Sequence, residues 1–226
     1  MTSRLLPRAA AAMVVLLAPL GSGCSAEEAP DGPAAPRAAA STSPSPSPSV
    51  PSTPAELESL VVAEVPSGLP LVPDAELDPP AGEKTIDDVA RYGDDAAHQR
   101  QVLEDYGYLR GWERFWRSGN ALTSVFIDQF RDADGAAAYA EDLARNDAEY
   151  YGGVLDPAPG DLPANCVLMV RDDSPPQHGL AGPAAFAWCA SGVFTVSVAA
   201  VAGSPAAARA ELTAVTTRQL DRLPES

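Results

Sequence analysis

The chain has 226 residues, 15 of them basic and 31 acidic, for a formal charge of −16, so its length suits one domain with a sizeable core plus accessory segments. Lys84 is the only lysine and the acids are spread along the chain, which excludes the clustered positive surface that nucleic-acid binding needs. The same charge repels anionic lipid headgroups, so attachment to a membrane must be covalent or hydrophobic.

Residues 1–23 predict a lipoprotein signal peptide. Arg4 and Arg8 form the charged start, and Ala9–Leu20 is an apolar run too short for the roughly 20 residues that cross a bilayer. Small residues then lead into Cys24, as in the lipobox of bacterial lipoproteins, except that Gly21 stands where an aliphatic residue is usual and Leu20 lies one step further out. Two outcomes follow. Acylation of Cys24 gives a protein anchored on the extracytoplasmic face of the cell membrane, because two acyl chains hold stably where one is marginal. Cleavage by the ordinary secretory peptidase gives a free secreted protein.

Residues 24–56 predict a disordered Pro/Ser/Ala-rich tether. From Cys24 to Pro54, 8 of 31 residues are Pro and 7 each are Ala and Ser, and nothing there can build a core. The Ser-Pro alternation over 43–49 favours polyproline II, a semi-rigid spacer of about 3.1 Å per residue. The same composition suits O-glycosylation.

Residues 57–226 hold 12 basic and 27 acidic residues, so the negative charge belongs to the domain. An arm over 57–84 is broken by Pro66, Pro70, Pro73, Pro79 and Pro80 and predicts extended chain with one short strand. Thr85-Ile86-Asp87-Asp88 opens a helix, with a second start at Asp94-Asp95 and a stop at Gly107. Tyr108–Arg117 and Ala121–Phe130 predict a hairpin. Asp132 caps a helix to about Tyr150 with Ala136, Ala140, Leu143, Ala144 and Ala148 on its buried face. Val167–Arg171, Ala184–Ala190 and Val193–Val201 are strand-like, and Ser204-Pro205 opens a last helix. The order predicts an α+β domain, an antiparallel sheet of about five strands with two to three helices packed on it.

With Cys24 lipidated, Cys166 and Cys189 remain as an even pair in a compartment where disulfides persist. The competing reading is two buried thiols. Trp188, Phe186 and Phe194 are expected to fill the core around this pair.

Pro79–Thr85, Tyr106–Trp112 and Phe126–Ala136 resemble segments of uncharacterised lipoproteins of high-GC Gram-positive bacteria. In organisation the chain is similar to sheet-plus-helix extracytoplasmic modules of the sensor and PsbP-like kind. That resemblance implies binding rather than catalysis.

Among candidate sites, Arg110, Trp112, Arg114 and Trp116 share one face of a predicted strand with Tyr108. Arginines interleaved with aromatics hold anionic or planar ligands through bidentate hydrogen bonds and cation–π contact. The alternative is that these aromatics pack under a helix while the arginines pair with carboxylates. Asp132-Ala133-Asp134 begins like a calcium loop, but Ala136 and Leu143 stand where ligands are required, so helix capping accounts for both acids. His98 and His178 lie far apart, Asp172-Asp173 falls in a polar loop, and no nucleotide, zinc-protease or serine-elbow motif occurs. No metal site, cofactor or catalytic residue is expected. The sequence points to a lipid-anchored binding or sensor-like module without enzymatic activity. Its partner is a small molecule or an envelope protein. The alternatives are a protein-docking module of the envelope or a cell-envelope hydrolase.

Overall fold

The computed structural model describes residues 49–172 and 180–224. They form an α+β domain around one six-stranded antiparallel sheet. In chain order the elements are α1 (Pro54–Leu60), β1 (Gly82–Lys84), α2 (Ile86–Ala90), α3 (Ala96–Tyr106), β2 (Tyr108–Ser118), β3 (Ala121–Phe130), α4 (Ala133–Tyr151), β4 (Cys166–Arg171), β5 (Ala184–Ser191), β6 (Phe194–Val201) and α5 (Pro205–Leu220). The strand order is β1-β2-β3-β6-β5-β4.

Local chemistry sets most of these boundaries. Each helix starts at a side-chain cap: Thr53, Thr85, Asp95, Asp132 and Ser204 all accept from a backbone N–H in the first turn, which satisfies donors that the helix itself leaves orphaned. Gly107 and Gly152 close α3 and α4 in the left-handed conformation, which costs glycine least. The helix expected from Thr85 divides in two, because Asp95 caps the second piece as its own start.

The sheet exceeds the expected five strands by β1, which pairs with β2 at Gly111–Glu113. The arm is less extended than its prolines suggest, and its packing begins inside the segment expected as tether. Pro51 is buried, its carbonyl accepts from Gln129 Nε2 at 2.9 Å, and α1 follows under a capping box. The arm then returns to β2 at residues 70–72, where Val72 N–H donates to the Phe115 carbonyl and Arg117 N–H to that of Pro70.

Both sheet faces are covered, so strands read as near-continuous apolar runs rather than strict alternation. One face packs α1 and α5 through Leu57, Leu60, Leu212 and Val215 over Trp116, Val125, Ile127 and Val196. The other face lies under α4, with α2 and α3 beside it, through Ala136, Tyr139, Ala144 and Tyr151. Cys166 and Cys189 are direct cross-strand partners on β4 and β5 and are joined by a disulfide, buried on the α5 face. Trp188 and Phe186 do not surround that bridge as expected. Strand alternation turns them to the opposite face, under α4, and only Phe194 packs on the disulfide side.

Candidate functional site

The α4 face of the sheet is built from two adjacent rows of side chains. Glu113, Phe126, Ser197 and Trp188 lie side by side across β2, β3, β6 and β5, and Phe115, Ser124, Ala199 and Phe186 form the next row. Four of these eight are aromatic. Above them α4 contributes Asp147 and Tyr151, and the arm contributes Val72, Leu77 and Pro79. Between floor and cover is a largely apolar recess with a cavity of ≈ 130 Å³. Tyr151 stacks on Phe186 at 4.9 Å between ring centroids, Phe186 stacks on Trp188 at 5.9 Å, and Phe115 meets Phe126 edge-on at 5.4 Å.

Asp147 is the charged side chain that α4 sends into this recess. Residues 140, 144, 147 and 151 follow one helical face, so its acid stands where the surrounding pattern places apolar residues. Its Oδ2 accepts from Trp188 Nε1 at 3.1 Å. Burial raises its pKa to about 7, an effect the Trp188 hydrogen bond only partly opposes. The Ser124 and Ser197 hydroxyls, also in the recess, are buried without a hydrogen-bond partner.

A second polar group sits at the β1–β2 end. Lys84 and Glu113, each 4% exposed, form an ion pair at 3.2 Å, and Tyr92 donates to Glu113 Oε1 at 2.7 Å. Burial pushes the Glu113 pKa up against the pull of Lys84. Asp128 is buried beside them, hydrogen-bonded to the Tyr108 hydroxyl, and burial together with the negative Glu113 raises its pKa to about 7. Tyr108 in turn donates to the Lys84 carbonyl at 3.3 Å. This group is closed on itself and caps one end of the recess, where Tyr92 and Glu113 reach the lining.

The residues singled out on β2 lie elsewhere. A bulge between Tyr108 and Arg110 turns Tyr108 to the α4 face, while Trp112 and Trp116 pack on the α1 and α5 face. That second face is occupied by the arm of the same chain. Arg110 donates to the Ser52 carbonyl, and Arg114 donates to the Val62 carbonyl at 3.0 Å and pairs with Glu58 at 3.1 Å. Trp116 is 1% exposed. The four side chains share one face of β2, and the arm of the same chain lies over them, with Arg110, Trp112 and Arg114 part-buried beneath it.

Asp132 caps α4 by accepting from Gly135 N–H at 2.8 Å. His98 is exposed on α3, its backbone N–H bound by the Asp95 cap. Cys24, His178 and Asp173 lie outside the described residues. Among the described residues no cluster of histidine, cysteine or acidic side chains has the arrangement of a metal site, and no helix is long and apolar enough to cross a membrane.

The fold and recess define a class: an α+β domain with an acid-bearing apolar recess between an antiparallel sheet and its longest helix. No family model matches the chain, and no curated protein matches it. Among solved structures it is similar to the extracellular domain of PknH from Mycobacterium tuberculosis, with a TM-score of 0.39 and 13% identity over 54% of this chain and 68% of that one.

Proposed function

We propose that the chain is an extracytoplasmic, sensor-like binding module, held at the membrane by acylated Cys24 and a Pro/Ser-rich spacer, that takes a small molecule into the recess under α4. The placement rests on the signal-like start, the small residues before Cys24 and the disulfide between Cys166 and Cys189, a bond that persists in oxidising compartments. The binding reading rests on one observation: a mostly apolar recess that holds two buried hydroxyls, those of Ser124 and Ser197, without a hydrogen-bond partner in the protein. That combination is the usual form of a small-molecule site.

Binding fits the recess better than catalysis. The Ser124 and Ser197 hydroxyls have no base within hydrogen-bond reach, and His98 lies outside the lining. A flat apolar patch would instead favour docking of an envelope protein.

Native mass spectrometry of the protein exported from a bacterial host tests the reading. A reproducible extra mass lost on denaturation is expected. A bare chain that also fails to retain any member of a small-molecule library would overturn it in favour of protein docking.

A further inference from the structure

The recess has a chemical preference that its apolar lining alone does not give. Asp147 is its one α4 carboxylate, and its hydrogen bond comes from a neutral indole rather than from a cation. Around it stand the π systems of Trp188, Phe186 and Tyr151. Ser197 lies directly across the strand pair from Trp188, and its hydroxyl is buried and unpartnered. A carboxylate, a free hydroxyl and aromatic rings offer acceptors and negative π faces together, which is the arrangement that holds an organic ammonium ion.

We propose that the recess recognises a small organic ammonium compound with an apolar body, its nitrogen at Asp147 and Ser197 and its body against Phe115, Phe126 and Phe186. This rests on the recess being the binding site. The other charged groups of the lining do not reverse the preference. Glu113 is neutralised by Lys84, Asp78 adds a second negative group from the arm, and Arg117 lies on β2 four residues beyond Glu113, about 13 Å along the strand at its usual rise. A cavity of ≈ 130 Å³ is close in size to engineered cavities of about 150 Å³ that admit benzene, so a single ring with a short aminoalkyl chain suits it. When bound, the ammonium supplies the counter-charge that Asp147 lacks.

The test uses the full chain carrying Cys24→Ala, so that no acyl chain competes for the recess, and three probes of matched shape: 2-phenylethylammonium, neutral propylbenzene and anionic 3-phenylpropionate. Binding is read from Trp fluorescence and calorimetry at pH 8. The expected result is that the ammonium binds roughly tenfold or more tightly than the neutral probe, and that Asp147→Asn removes the difference while propylbenzene still binds and the melting temperature does not fall. Ser197→Ala should weaken only the ammonium. Equal binding of ammonium and neutral probes would overturn the ammonium preference and leave the recess as an apolar site. Preference for the carboxylate, lost in Arg117→Ala, would also overturn it. Failure of all three probes to bind would overturn both this preference and the recess as a binding site.

Discussion

The carboxyl of Asp128 meets the hydroxyl of Tyr108 in a space left open by the missing side chain of Gly111, where an added methyl would lie 2.6 Å from that hydroxyl. The hydroxyl is also within reach of the Lys84 carbonyl. The Tyr108 hydrogen bond favours the charged carboxylate, but burial and the negative Glu113 outweigh it, so the fold favours the neutral acid. In the unfolded chain Asp128 titrates near 3.8, and in the fold at about 7. Between these values the folded state holds a proton that the unfolded state has lost, and stability falls as pH rises from about 4 to 7. Asp128→Asn keeps an acceptor for the Tyr108 hydroxyl and cannot ionise. Urea denaturation should show it more stable than the parent at pH 8 by on the order of 4 kcal/mol, with little difference at pH 3. An equal midpoint at both pH values would contradict this.

Gly111→Ala tests the same space sterically. The new methyl also comes against Asp128 and lies 3.2 Å from the Ile127 carbonyl, and a β-sheet backbone cannot give way without disturbing β2 and β3. A loss of about 1–3 kcal/mol is expected from denaturation curves, largely independent of pH.

The legible parts of the fold are those where one residue decides the local outcome. Helix caps at Asp95, Asp132 and Ser204, stops at Gly107 and Gly152, and turns at Gly119 and Gly192 are visible as single letters, and the structure uses each of them. The faces of β2 and β5 were less legible for a physical reason. A bulge after Tyr108 adds one residue and inverts the alternation behind it, and a strand buried on both sides carries no polar mark of which side is which. Asp147 was hidden differently. An acid within an apolar helical stripe is a detectable signal, but it gains meaning only when Trp188 arrives from another element.

Removing the disulfide has a size set by the chain it closes. Cys166 and Cys189 are 23 residues apart, and a loop of that length is worth roughly 3 kcal/mol on the chain-entropy model. The paired change Cys166→Ala and Cys189→Ala should lower stability by about that amount, and the parent should take up no alkylating reagent at either position until reduced. Stoichiometric labelling without reductant would refute the bridge.

Arg114 fastens the arm. Replacing it with Ala removes its donors to Val62 and Glu58, a local loss of about 1–2 kcal/mol. Hydrogen exchange should therefore speed up by roughly five- to thirtyfold at the Val62 amide, which reports arm release, and stay unchanged at Val125 and Ile127 in the sheet centre.

Cys24→Ala should move the protein from the membrane fraction to the soluble extracytoplasmic fraction. Retention in the membrane would remove the acyl anchor from the proposal.

The attachment of the arm also fixes how the domain would carry load. Gln219 on α5 spans the two ends of the fold, donating to the Leu60 carbonyl and accepting from Val62 N–H, both at 2.9 Å, while Arg222 donates to the carbonyls of Leu60 and Ser59. Together with Gln129 at Pro51 and Arg114 at Val62, these bonds grip one short stretch of backbone from β2, β3 and α5 at once. A pull transmitted along the spacer would meet them in parallel, as shear across the face opposite α4. Of the elements that shape the recess, β2 and β3 would carry that load, while α4 and β5, which hold Asp147 and Trp188, would stay out of its line.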